Sequence, residues 1–291
     1  MMLREPAVAG RFYPLGHDSC LREIAAMRPA DEPAQMPERP VAGVVPHAGW
    51  VFSGATALSV IRAIESRRKP QTFVLFGASH SPYLRHSALF PSGGWQTPLG
   101  VAKIDERLAA EILARAGSLL SDDPGAHEDE HSLEVQVPLI QHLAPEARIV
   151  PILVPREAKA VALGRLVGQT INSLGADAVC LGSSDLTHYG PMYGFAPKGY
   201  GAAAVRWVRD ENDRRIVDLM VRLDADGILP EAQSNANACG AGAIAATLAA
   251  AREMGAERGC LVQYTTSYDV MREQMGRTDS EAVVGYAGVV F

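Results

Sequence analysis

Two kinds of apolar pattern alternate along the chain. Short, nearly continuous apolar runs bounded by turn formers occur at 41–46 (VAGVVP), 72–77 (TFVLFG), 148–154 (RIVPILV) and 178–182 (AVCLG). Runs of this length and continuity predict strands buried on both faces. Between them, apolar positions recur at helical spacing over 54–64, 105–116, 132–143 and 159–174. Two longer helical patterns follow, at 202–223 and 241–254, and then two more strand runs, at 259–266 and 281–291. Strands separated by helix-length connections predict βαβ units, hence a largely parallel or mixed central sheet with helices on its faces. Residues 29–40 (PADEPAQMPERP) combine proline and charge and predict a surface loop. No repeat period is present. The pattern predicts an α/β protein in which 1–291 form a single domain.

Composition narrows the function classes. A chain of 291 residues with 47% hydrophobic and 21% charged residues buries a large core and is not disordered. Its formal charge of −6 argues against a nucleic-acid partner. The first fourteen residues lack the apolar stretch of a signal peptide, and the longest weakly polar run, 238–251, falls short of the ~20 residues of a membrane span. These features lead us to expect a cytoplasmic protein with no membrane partner. Cys20, Cys180, Cys239 and Cys260 form no CxxC pair, as free thiols in a reducing compartment would.

The candidate chemistry lies just past the predicted strands. His47 follows VAGVVP, His80 follows TFVLFGAS, and Asp185 and His188 follow AVCLGSS. In open α/β sheets ligands bind in the crevice outside the carboxyl ends of the strands, which is where these residues converge. Cys239 precedes an Ala-rich helix for which Asn237 is the expected N-cap, and a thiol there favours thiolate. Cys180 and Cys260 sit in strand runs and Cys20 in a helix or on the surface, and all three read as inert. The run HEDEHSLE at 127–134 opens a helix that Ser132 would cap. It is either a solvated acidic helix start or places His131, with Glu130 or Glu134, at the rim of the same crevice. The pairs Trp50/Phe52 and Tyr189/Tyr193 pack the core or line a pocket. No GxGxxG, P-loop or GxSxG motif is present.

At these residues the sequence resembles the Memo family, known in bacteria and archaea as protein B of the AmmeMemoRadiSam system. The resemblance rests on REPAVAGRFYP at 4–14, PHAG at 46–49, GASH at 77–80, DEHSLE at 129–134, SDLTH at 184–188, Cys239-Gly240 and Tyr268-Asp269. It implies a fold similar to that of class III extradiol ring-cleavage dioxygenases. It also implies a cleft in which His47, His80 and Cys239 bind iron or copper, with Asp185 and His188 lining it. Dioxygenases of that class use two histidines and a carboxylate, and a thiolate in the carboxylate's place is softer, shifting preference toward copper, zinc or thiolate-ligated iron. It is also itself oxidisable.

Three functions follow as expectations. The first is a metal-dependent redox or dioxygenase-like enzyme acting on a small aromatic, in which His188 and His131 move protons and Asp185 orients His188. The second is a non-catalytic module that binds a peptide in the same cleft. The third is a hydrolase using Cys239, His188 and Asp185 as nucleophile, base and orienter. The system's name points to a radical-SAM partner.

Overall fold

The computed structural model describes residues 2–276 and 281–291. In chain order its elements are β1 (Leu3–Arg4), α1 (His17–Ala26), β2 (Ala42–Val45), α2 (Trp50–Arg68), β3 (Thr72–Gly77), β4 (Ser87–Leu89), β5 (Gly94–Thr97), β6 (Gly100–Lys103) and α3 (Glu106–Ala116). They continue with β7 (Leu120–Asp122), α4 (Val137–Leu143), β8 (Arg148–Leu153), α5 (Lys159–Leu174), β9 (Ala178–Ser183), β10 (His188–Tyr189), α6 (Ala202–Trp207) and α7 (Asp213–Val221). The last are α8 (Ala225–Asn235), α9 (Ala241–Glu253), β11 (Cys260–Thr266), α10 (Ser267–Met275) and β12 (Val283–Val290).

The continuous apolar runs become the centre of a mixed sheet. Strands β2, β9, β3 and β8 lie side by side and parallel, with Val44 opposite Gly182, Leu75 opposite Leu181 and Phe76 opposite Ile152. The block is flanked by antiparallel pairings on both sides: β12 pairs with β2 and carries β10 and β11 antiparallel, while β4 pairs with β8 and carries β7 parallel to itself. Parallel neighbours need crossover connections, which the helices between them supply. Gly43 of β2 faces Val60 and Ile64 of α2, and Gly182 of β9 faces Thr247 and Ala243 of α9, so helices cover both faces. One large apolar cluster runs through both layers, with a small satellite around Tyr189, Val205, Val208 and Val283.

Several elements depart from the sequence pattern. The helix expected over 202–223 is broken into α6 and α7 by a π-helical turn at Val208–Asn212, which brings Asn212 and Asp213 into the interior together. The helix expected from 132 starts late, as a 3-10 turn at Glu134–Gln136 running into α4, with Pro138 in the first helical turn where its missing N–H costs nothing. Ser132 does not cap it, because its hydroxyl donates to Ala78 O at 2.9 Å. Asn237 does not cap α9 either: Gly240 occupies that position and the Asn237 amide donates to Asn212 O at 2.8 Å. A second sheet of β1, β5 and β6 is built from strands of two to four residues, too short to leave a period in the sequence. The segment 29–40 forms neither helix nor strand. Among the described residues no helix is long and apolar enough to cross a membrane.

Candidate metal centre

Three adjacent parallel strands aim their carboxyl ends at one cleft. His47 lies two residues past β2, His80 three past β3 and Asp185 two past β9. The loop before α9 adds Cys239, and the segment before α4 adds His131. The ligand-capable atoms of His47, His80 and His131 all lie within 4.8 Å of one another. The His80 and His131 rings stack with centroids 4.4 Å apart, and His47 meets both edge-on at 5.2 and 5.5 Å. Cys239 Sγ sits 3.1 Å from His47 Nε2 and also hydrogen bonds with His80. Sequence reasoning placed His131 beside the metal set as a proton carrier. The structure places it among the donors.

Hydrogen bonds decide which nitrogen each ring offers. Ser183 Oγ donates its proton to Ser132 O at 2.7 Å, so at 3.0 Å it accepts from His47 Nδ1–H. Gln136, held against Pro46 O at 2.7 Å, fixes the same strand end. His80 Nδ1 donates to the Glu130 carboxylate, with distances of 3.0 and 3.2 Å to its two oxygens. With Nδ1 of both rings committed, Nε2 is the nitrogen each would offer a metal: that of His47 meets the Cys239 thiol, and that of His80 would give up its proton on binding, the arrangement in which a carboxylate or hydroxyl behind a histidine orients it for a metal.

Electrostatics follow from burial and from this pairing. Burial works against a charge on His80, but the hydrogen bonds with Cys239 and Glu130 prevail and push it up to about 10. Burial would raise Glu130, yet its bonds to His80 hold it down to about 2. Burial, then the neighbouring His80, pushes His131 down to about 4 and His47 well below the ordinary range. In this state a proton on His80 provides the positive charge that a metal ion would otherwise bring, and metal binding would release it.

The two glutamates of DEHSLE separate cleanly. Glu130 holds His80 twice, through its ring and through its backbone N–H at 2.7 Å, and lies 3.6 Å from His131 Nδ1. Glu134 is fully buried and never reaches the cleft. It accepts from Arg4 Nη1, Ala7 N, Val8 N and Tyr13 OH at 2.8–2.9 Å, pinning the N-terminal segment. That segment delivers Phe12, whose ring packs on the edge of His131 at 4.8 Å.

Asp185 and His188 reach the cleft but do not hydrogen bond to each other. Asp185 Oδ1 accepts from the backbone N–H groups of His47 and Ala48 at 2.7 and 3.2 Å, anchoring the loop that carries His47. Burial raises its carboxyl to about 7 against the pull of those donors. His188 Nδ1 donates to Leu186 O at 3.1 Å, which leaves its Nε2 as an acceptor, and burial holds the ring neutral. Among the described residues no hydrogen bond between side chains joins Cys239, His188 and Asp185, the Cys239 thiol reaching Asp185 at its backbone carbonyl at 3.5 Å, so the nucleophile–base–orienter set is not assembled. Its carboxylate is already taken by the His47 loop.

The cleft encloses about 340 Å³, with Phe12, Phe52, Tyr193, Met271, Val284 and Tyr286 forming its apolar wall. Of the aromatic pairs, Phe52 and Tyr193 line it, whereas Trp50 and Tyr189 are buried in the packing. Ser183, Met271 and Tyr286 were not singled out in the sequence. Ser183 had a signal, standing directly after the apolar run 178–182 and closing β9, but Met271 and Tyr286 come from the last helix and strand, and only their packing reveals them. Cys20 and Cys180 are buried away from the cleft, and Cys260 opens β11.

Fold and cleft together define an α/β protein with a histidine- and cysteine-lined candidate metal centre at the carboxyl ends of its parallel strands. The family model for Memo-like proteins matches residues 4–290, and the chain belongs to the Memo family. It is 39% identical to a MEMO1 family protein of Pyrococcus horikoshii over 298 residues, covering 99% of each chain. It is 38% identical to one of Thermococcus onnurineus, covering 100% of this chain and 99% of that one. Among solved structures it resembles the uncharacterized protein JW3007 from Escherichia coli K12, with a TM-score of 0.53 at 13% identity over 85% of this chain and 99% of that chain. That likeness is one of fold.

Proposed function

We propose that this protein is a metal-dependent redox protein that holds one iron or copper ion, or zinc in its place, on His47, His80 and Cys239, with His131 adjoining. A small aromatic molecule binds beside the metal. One observation carries the reading: two histidines have their Nδ1–H committed to fixed acceptors, so that Nε2 is the nitrogen each would offer a metal, with a cysteine thiol 3.1 Å from that of His47. Two imidazoles and a thiolate suit a soft or borderline ion rather than magnesium or calcium. A bound iron or copper ion would supply Lewis acidity and electron transfer toward dioxygen, dioxygenase-like chemistry included.

The chain's own groups supply the rest. His188, neutral and with Nε2 free, accepts a proton from a substrate hydroxyl at the cleft wall. Asp185 keeps the His47 loop in place, and His131 moves protons or joins the ligands. The apolar wall excludes water and has room for one ring. A radical-SAM enzyme is the partner class implied by the resemblance.

The test is metal content by mass spectrometry on untagged protein purified without oxygen, beside a Cys239→Ser variant. About one iron or copper per chain, lost in the variant, is expected. No uptake after anaerobic loading with Fe(II) or Cu(I) would overturn the reading. A second reading, a peptide-binding module, draws on Tyr83 and Met192, which are 86% and 74% exposed next to cleft-forming segments. Peptide capture that survives metal removal would favour it.

A further inference from the structure

The loop 184–188, which carries Asp185 and His188, is backed by a buried polar pair, Asn212 and Asp213. The pair sits where α6 passes into α7 through the π-helical turn, and the Asp213 N–H bonds to Val208 O, five residues back. Wide turns of this kind are rare and recur at functional sites. Asp213 Oδ1 accepts from both the backbone N–H and the hydroxyl of Thr187, and its Oδ2 accepts from Tyr264 OH at 2.7 Å. Gly285 leaves room for that carboxylate, since a Cβ there would stand 1.8 Å from Oδ2.

Asn212 reaches both loops of the cleft. Its Nδ2 donates to Thr187 Oγ1 at 2.9 Å and to Asn235 O at 3.0 Å, and its own backbone carbonyl accepts from Asn237 Nδ2 at 2.8 Å. Asn235 and Asn237 belong to the segment that leads into Cys239. That segment also touches the first loop directly, through Cys239 N to Asp185 O at 3.2 Å and Gly240 N to Ser184 Oγ at 2.9 Å. The loops bearing Asp185, His188 and Cys239 thus share one anchoring dipeptide from a different element, beside the backbone bonds of Leu186 and Thr187 to Gly285 of β12.

We propose that Asn212 and Asp213 are positioning residues that set the spacing between the 184–188 loop and the Cys239 loop, and thereby bring the thiol onto the histidine cluster. The inference rests on the metal reading above. Groups that orient ligands from behind change metal affinity by about 10–100-fold when removed. A thiol displaced by an ångström leaves the histidines able to bind a metal without it.

The experiment loads the protein with Co(II) alone and reads the near-ultraviolet thiolate-to-metal charge-transfer band, with affinity from chelator competition. Wild type is expected to show the band, and Cys239→Ser to lack it. Asn212→Ala is expected to bind Co(II) about tenfold more weakly, with the band per bound ion reduced at least threefold. Ile171→Val, which loosens packing in α5 without touching either loop, is expected to keep the full band, separating positioning from general destabilisation. Should the alanine variant fail to fold, Asn212→Ser, whose single hydroxyl proton can serve only one loop, gives the same reading. An unchanged band and affinity in a folded Asn212 variant would overturn this inference alone. A wild type without the band, or one whose band survives Cys239→Ser, would overturn the metal reading and this inference with it.

Discussion

At the scale of single residues, the cleft is governed by groups that never touch a ligand. Glu130 holds His80 by ring and backbone and also accepts from Ser132 N at 2.8 Å, so one carboxylate fixes both the orientation and the tautomer of that histidine. Replacing it by glutamine keeps the shape but removes the anionic acceptor. Glu130→Gln is expected to weaken Co(II) or Fe(II) binding about 10–100-fold with little change in circular dichroism. Chelator competition measures this, and an unchanged affinity would leave Glu130 only its ties to the backbone. Four residues on, an identical side chain does something unrelated: Glu134, paired with buried Arg4, ties down the N-terminal segment. Residue type and spacing made both glutamates candidates for the rim. Nothing local distinguishes them, because the Glu134 partners come from residues 4–13, more than 120 positions away in the chain.

At the scale of elements, close helix packing places the Cys239 loop. Helices α5 and α9 run parallel, and their contact is made by small residues: a Cβ on Gly164 would stand 2.0 Å from Ala246 O, and one on Gly168 would stand 2.7 Å from Ala250 O. Gly242, in the first turn of α9, presses against Pro155 O in the same way. In an exposed helix, glycine to alanine stabilises by up to about 1 kcal/mol. Here the sign reverses. Gly164→Ala is expected to destabilise by about 1–3 kcal/mol through overpacking against backbone, read as a lower urea midpoint at an unchanged m-value. A gain in stability would show that the two helices can slide apart. The Ala-rich pattern announced α9 within a residue of its observed end, since its composition favours helix on every face. The interruption in 202–223 was invisible to periodicity, because what breaks that helix is the demand of Thr187 for Asn212 and Asp213, a contact between distant elements.

At the scale of the whole molecule, stability is coupled to pH through buried histidine. His127 is enclosed by Phe90 and Trp95 and donates Nε2–H to Ala88 O at 3.1 Å, and burial lowers it to about 3. Between pH 6.5 and about 3 the unfolded chain therefore binds one proton more than the folded chain at this residue. Its contribution to stability is full above 6.5 and falls by about 1.4 kcal/mol per pH unit as the medium is acidified. The stability difference between wild type and His127→Gln is expected to shrink at that slope between pH 6.5 and 4 in urea titrations. A pH-independent difference would show that His127 titrates in the fold as it does in the unfolded chain. The sequence by itself determined the α/β class, the parallel central strands and the convergence of His47, His80, Asp185 and His188, because apolar runs this short, bounded by turn formers and separated by helix-length connections, form buried parallel strands, and topology sends their carboxyl ends to one crevice. It also supplied the motifs that made the Memo family legible. Tertiary structure alone decided the antiparallel edges, the entry of His131 among the donors, the parting of Glu130 from Glu134 and the commitment of Asp185 to the His47 loop. Each of these is a choice among hydrogen-bond partners far apart in the chain, and such choices leave no period or local composition to be read.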